Sequence, residues 1–425
     1  MTLEIGYAHR GQVHASSDCR EDKPYSLRLC GARVAVDARS AIPADIQIER
    51  GYVKTICPNN SAHSVSLPNG ESFAVDLRGY LLLPGLINAH DHLDFGLFPR
   101  LGRGPYPNAE QWARDIYHPE SSPIRELLKV PKWVRLWWGG INNLLEGVTT
   151  VCHHNEFYTD VFDDDFPVRV LGNYTWSHSL AFGRGLDLTF RSSSSETPYI
   201  IHLGEGTDAA STAEVFELDR RGLLDARTVI VHGVAIDDTG HELLTQRGAA
   251  LIWCPSSNLF TLGATLSPQR IERSPRTALG SDSPITAGNL LTEIRLAREL
   301  GCTAEEVFDL VTGQAADVLR LRQGEGLLRA GAIADVIALP DIGLSPAETL
   351  VLATTKEIEL VLLAGEPRLL SEDTLSRFPS NVQRSLELIT LAGIPRYVRA
   401  PIGRLLQEAK KQLDGPIQLA GKDVL

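Results

Sequence analysis

Five side chains of types that bind metal ions or move protons stand at the ends of short apolar runs: His90, His92, His202, His232 and Asp282. The first run, Leu81 to Ala89, leads directly into His90-Asp91-His92. Residues i and i+2 of a strand project from one face, so these two imidazoles can hold a single ion, whereas a helix would need a spacing of i and i+4. Tyr199-Ile200-Ile201-His202, Val229-Ile230-Val231-His232 and Thr277-Ala278-Leu279-Gly280-Ser281-Asp282 each deliver one more potential ligand at the C-terminal end of a buried strand. A parallel (β/α) barrel carries its chemistry at that end. Together the five describe a first-row metal site at a barrel mouth.

The elements needed to position them are legible in the patterning. Residues 26–79 alternate β-type runs with turn-like Asn59-Asn60 and Pro68-Asn69-Gly70, and read as a small sheet. From 80 to 322, strand-like and helical stretches alternate, as in Lys132 to Glu146 followed by Gly147-Val148-Thr149-Thr150-Val151, which implies parallel strands with crossover helices. Residues 331–339 and 357–363 return to strand character and are expected to complete the first sheet. The segment 373–425 has helical spacing over Val398 to Leu413 and is expected to be a mainly helical extension. Between a third strand ending near Tyr174 and the strand ending at His202 there is room for little more than one short element. The fourth strand is expected there in abbreviated form, around Leu186 to Phe190.

Composition narrows the function. With 425 residues and 43% hydrophobic residues the chain can bury the core of a globular enzyme. A net charge of −12 and the lack of a basic stretch exclude non-specific nucleic-acid binding. The first residues show no leader pattern and no run is long enough to span a bilayer, so a soluble, cytoplasmic protein with no membrane partner is expected. The six cysteines are scattered with no C-x-x-C pair, so reduced thiols are expected, with Cys254 in the core.

Taken in order, Pro84 to His92, Gly147 to Val151, His202-Leu203-Gly204-Glu205, Val231-His232-Gly233, Cys254-Pro255-Ser256-Ser257-Asn258, Leu279 to Asp282 and Gly331 to Val336 form a set. That set resembles the amidohydrolase superfamily, in its cytosine deaminase and atrazine chlorohydrolase-like branch. The resemblance implies a (β/α)8 TIM-type barrel over residues 80–322, with a β-sandwich assembled from residues 1–79 and 323–372. It implies metal ligation by His90, His92, His202 and Asp282, and contact of His232 with the substrate or the attacking water. Three imidazoles and one carboxylate suit zinc first and iron second, and leave a position for a water whose pKa falls to roughly 7. Glu205, three residues after His202, is placed to take the proton of that water and hand it to a leaving nitrogen, with Asp282 sharing the task. Binuclear members bridge their ions with a carboxylated lysine. Here no lysine occurs between Lys132 and Lys356, so one ion per chain is expected.

His153, His154, Asn258, Arg103 and Trp253 follow strands or occupy loops next to them, and are candidate substrate contacts; strand alternation aims only one of His153 and His154 at the mouth. The reading is a metal-dependent hydrolase of a carbon–nitrogen bond, foremost an aminohydrolase of a small heterocycle or amidine, with a homo-oligomer allowed. A cyclic-amide hydrolase resembling imidazolonepropionase and a non-catalytic binding barrel are the alternatives. Ammonia release separates the first alternative, and the intact ligand set argues against the second.

Overall fold

The computed structural model describes residues 25–58, 71–183, 185–274, 276–286 and 288–425. Cys19 and the turn signals at 59–60 and 68–70 lie outside the described residues.

The apolar run before His90 is cut in two at Gly85. Tyr80–Pro84 belongs to one sheet, and Leu86–Asp91 (β1) begins another. A β-carbon at residue 85 would lie 2.3 Å from Thr149 Oγ1, so only glycine lets the chain pass this close to the neighbouring strand. After β1 come Val148–His153 (β2), Arg169–Val170 (β3), Thr175–Ser179 (β4), Tyr199–Leu203 (β5), Thr228–His232 (β6), Ala250–Trp253 (β7) and Thr277–Leu279 (β8). β1, β2 and β3 pair in parallel in one sheet. β4 to β8 pair in parallel in sequence order in a second sheet. A parallel bridge between Asp91 and Asp282 joins the end of β1 to the segment after β8. Ile87, Ala89, Cys152, Ile200, Val229, Ile252 and Ala278, from six of these strands, are buried in one shared cluster. Helices including Lys132–Leu144, Ala209–Arg220 and Asp238–Arg247 lie between consecutive strands, and Leu290–Glu299 follows the last. The result is mixed α/β architecture.

The remaining strands form one twelve-stranded sheet that draws on both ends of the chain. Tyr25–Ala35 pairs with Ala41–Glu49 and Tyr80–Pro84, and Val336–Pro340 is antiparallel to Tyr80–Pro84. Among the described residues no helix is long and apolar enough to cross a membrane. Cys30, Cys57, Cys152, Cys254 and Cys302 are free thiols, and Cys254 is buried as expected.

Two local expectations are corrected. The fourth strand is Thr175–Ser179, and residues Leu186–Ser192 are helical. Leu186 and Phe190 are both buried while Leu188 is 74% exposed, an i, i+4 pattern that only a helix satisfies. The segment 373–425 keeps its helix at Ile402–Lys410 but also contains Glu387–Leu391, Ile394–Val398, Ile417–Leu419 and Lys422–Val424, all within the large sheet. These strands form two hairpins closed by Ala392-Gly393 and Ala420-Gly421, where all four residues have φ between 47 and 81°. Two consecutive left-handed residues make the turn that matches strand twist, and it is usually signalled by Asn-Gly or Asp-Gly rather than Ala-Gly.

Candidate active site and metal centre

Strand ends build the site. His90 is the penultimate residue of β1, His92 follows it, His154 follows β2, His202 lies in β5, His232 ends β6 and Asp282 follows β8. Backbone bonds fix the last of these against the first: Asp282 N donates to His90 O (3.0 Å) and His92 N donates to Asp282 O (2.7 Å). Gly280 allows this approach, since a β-carbon there would sit 2.7 Å from His90 Cβ.

The donor atoms converge. His202 Nε2 is 3.3 Å from His90 Nε2, and Asp282 Oδ1 is 3.5 Å from His90 Nε2 and 3.7 Å from His92 Nε2. Tetrahedral ligation with bonds near 2.0–2.2 Å puts neighbouring donors roughly 3.3–3.6 Å apart, so these spacings fit one first-row ion. Tautomers fit as well. His202 Nδ1 lies 2.8 Å from the His178 carbonyl, which can only accept, so its proton sits there and Nε2 presents a lone pair. Two buried imidazole nitrogens facing each other beside a carboxylate are the arrangement a cation relieves. Two overlapping quartets meet the spacing for an ion: His90, His92, His154 and His202, and His90, His202, His232 and Asp282.

Electrostatics keep the His90, His92 and His202 imidazoles neutral and the Asp282 carboxylate charged. Burial holds the His90 imidazole down at about 3 and depresses His92 and His202 as well, so these rings are neutral near pH 7. For Asp282 burial acts upward, but the hydrogen bond from His90 and the nearby imidazoles outweigh it, and the carboxyl falls well below its ordinary range. Its outer oxygen, Oδ2, accepts from Ser257 Oγ (2.6 Å) and Thr286 Oγ1 (3.0 Å), which leaves Oδ1 for the cluster. Asp91, between His90 and His92, turns away and accepts from Asn143 Nδ2 (2.7 Å), Asn88 Nδ2 and Ser281 Oγ (both 3.2 Å).

Glu205 stands across from the donors. The left-handed Gly204 (φ 63°) turns the chain after β5, and Glu205 O then accepts from Ala109 N at 3.0 Å. Glu205 Oε1 is 3.5 Å from His232 Nε2. Burial raises the Glu205 carboxyl to about 7, against the pull of His232 and with a further push from Asp282 and Glu214. An acid poised there exchanges protons in either direction at neutral pH. His232 Nδ1 lies 2.8 Å from Asn258 Oδ1, which orients the ring with Nε2 toward Glu205. His232 and Asp282 both have left-handed backbones, with φ of 74 and 60°. Such conformations in non-glycine residues cost of order 1–3 kcal/mol and gather at functional sites.

The candidate substrate contacts separate. His154 joins the cluster, its ring 4.3 Å from that of His202. His153 points the other way, its Nδ1 accepting from Leu93 N at 3.2 Å and its ring packed on Phe162. Asn258 stands behind His232 rather than in the open mouth. Trp253 is fully buried in the main core, with Nε1 donating to Thr265 Oγ1. Arg103 is exposed on the loop after β1. Ser257, Thr286, Asn88 and Asn143 were missed as positioning groups. Asn88 and Ser257 lie inside the ordered motifs, which is the sequence hint they carry; Asn143 and Thr286 carry none.

Residues 187–367 match the family model "Amidohydrolase family". The chain is similar to a 5-methylthioadenosine/S-adenosylhomocysteine deaminase of Syntrophobacter fumaroxidans, 27% identical over 383 residues, covering 70% of this chain and 84% of the relative. A protein of the same name from Pyrococcus furiosus is 24% identical, covering 71% of this chain and 83% of the relative. Among solved structures, an adenosine deaminase from Xanthomonas campestris with bound zinc superposes with a TM-score of 0.69 at 18% identity, covering 92% of this chain and 97% of that one. Atrazine chlorohydrolase from Arthrobacter aurescens TC1 complexed with zinc gives 0.64 at 18% identity, covering 91% and 99%. The amidohydrolase resemblance carried by the ordered motifs is borne out.

Proposed function

We propose that this chain is a metal-dependent aminohydrolase that releases ammonia from an amino-substituted heterocycle. The observation that carries the reading is Glu205 Oε1 and His232 Nε2 facing each other at 3.5 Å beside the convergent His90, His202 and Asp282 donors. We read β1 to β8 as one (β/α)8 barrel that begins at Leu86 rather than at residue 80, because Tyr80–Pro84 pairs within the large sheet. The supports are the shared interior cluster, the Asp91–Asp282 bridge and the superposable zinc-bound hydrolases. The sheet contributed by both ends of the chain is read as the sandwich domain beside it.

His90, His92, His202 and Asp282 would hold one divalent ion, zinc foremost. When bound it supplies the Lewis acidity that brings a water's pKa from 15.7 to roughly 7. Glu205 takes a proton from the attacking water as the new carbon–oxygen bond forms at the amino-bearing carbon. His232 Nε2, held by Asn258, steers the charge that develops there. Glu205 then returns the proton to the exocyclic nitrogen, the carbon–nitrogen bond breaks, and ammonia leaves. The names of the relatives and the zinc-bound adenosine deaminase favour 6-aminopurine nucleosides as the substrate class, with triazines next.

The test is an ammonia-release screen over 5-methylthioadenosine, S-adenosylhomocysteine, adenosine, aminopyrimidines, pterins, aminotriazines and guanidino compounds, with metal-loaded and chelator-stripped protein in parallel. Ammonia produced only by the loaded protein is the expected result. Hydrolysis of a cyclic amide with no ammonia formed overturns the aminohydrolase reading.

A further inference from the structure

His154 was a candidate substrate contact, but its surroundings suit another role. It is 2% exposed, which leaves almost no surface for a substrate to touch. Its Nε2 lies 3.1 Å from the carbonyl oxygen of Ser177. A carbonyl only accepts, so Nε2 carries the ring proton and Nδ1 is an unprotonated lone pair. That Nδ1 is buried and has no hydrogen-bond partner. His202 shows the same pattern, with one nitrogen donating to the His178 carbonyl and the other facing the cluster. A ring whose far nitrogen is pinned by a backbone carbonyl is the usual support of a metal-ligating histidine, because it fixes both tautomer and orientation. The two rings stack at 4.3 Å and 23°, and His154 offers a donor within 4.8 Å of those of His90, His92 and His202.

We infer that His154 is a metal ligand, a fourth imidazole contributed from the end of β2 to the ion that His90, His92, His202 and Asp282 would hold. The inference rests on the metal reading above. A set this rich in imidazole selects zinc, iron, copper or nickel over magnesium, calcium or manganese.

The experiment compares wild type, His154→Gln and His202→Ala. Glutamine keeps an N–H for the Ser177 carbonyl and removes the Nδ1 lone pair. Zinc affinity is measured by competition with a chromophoric chelator, and the visible spectrum is recorded for cobalt-substituted protein. His154→Gln should bind zinc at least ~100-fold more weakly, the upper end of what loss of a supporting group alone produces, and should change the cobalt bands. The melting temperature of the metal-free protein should stay within a few degrees of wild type. If the glutamine variant does not fold, His154→Phe, which keeps the stacked ring, is read in the same way. Affinity within threefold of wild type and an unchanged cobalt spectrum overturn the inference. If wild type and His202→Ala bind zinc equally poorly, the metal reading itself has failed.

Discussion

Gly280→Ala tests whether packing between β1 and β8 sets the ligand geometry. The added β-carbon would lie 2.7 Å from His90 Cβ, 2.9 Å from His90 N and 3.0 Å from His90 O, where ordinary contact begins at 3.4 Å. Two of those neighbours are backbone atoms, so relief requires the strands to part by roughly 0.4–0.7 Å. Metal sites tolerate donor displacements of about 0.2 Å. His90 and Asp282 are joined by the bond from Asp282 N to His90 O, so parting the strands stretches that bond and shifts the two candidate ligands relative to each other. Overpacking of this kind costs about 1–3 kcal/mol of stability. Zinc affinity should fall by at least ~10-fold, the lower bound for disturbing the support of a ligand. Urea unfolding of the metal-free protein and chelator competition on the same preparation measure the two effects. A variant with wild-type affinity and an unchanged midpoint would refute the packing argument.

Three further outcomes are expected. Glu205→Gln should lower turnover by at least ~100-fold while metal content survives, since glutamine cannot shuttle protons; turnover within a few-fold of wild type would remove Glu205 from the reaction. His232→Asn should retain the ion and lose roughly 100-fold in turnover, the scale of losing one preorganised group at the reacting centre; loss of the metal instead would make His232 a ligand. Burial raises Glu293 from 4.5 to about 8 despite the bonds it accepts from the Ser256 backbone and hydroxyl. A carboxyl whose folded pKa is raised favours folding below pH 4.5 and loses that advantage as pH rises toward 8. Glu293→Gln should therefore gain stability relative to wild type between pH 5 and 8, by a few kcal/mol at most, and a pH-independent difference in unfolding midpoint would contradict the shift.

The candidate ligand positions were legible because parallel strands deliver side chains at their C-terminal ends, and an apolar run that stops at a histidine or aspartate marks such an end. His90, His92, His202, His232 and Asp282 share this signature. Alternation predicted that only one of His153 and His154 faces the mouth, but not which, because the pairing of β1 with β2 shifts register between Asn88 and Asp91. β4 escaped notice because Thr-Trp-Ser-His-Ser is short, polar and only partly buried. The hairpins near the C-terminus were hidden by Ala-Gly turns. Ser257 reaches Asp282 across the fold from the helix after β7, where spacing along the chain carries no signal, and Thr286, four residues after Asp282, sits in a loop with no periodic pattern to mark it. The left-handed backbones of His232 and Asp282 were equally invisible.

The most direct test of the central claim is the metal content per folded chain, measured by elemental analysis after exhaustive dialysis, for wild type beside His90→Ala. The account predicts about one tightly held divalent ion, zinc or iron, in wild type and almost none in the variant. Wild-type protein that retains no ion, or a variant that retains as much as wild type, would contradict it.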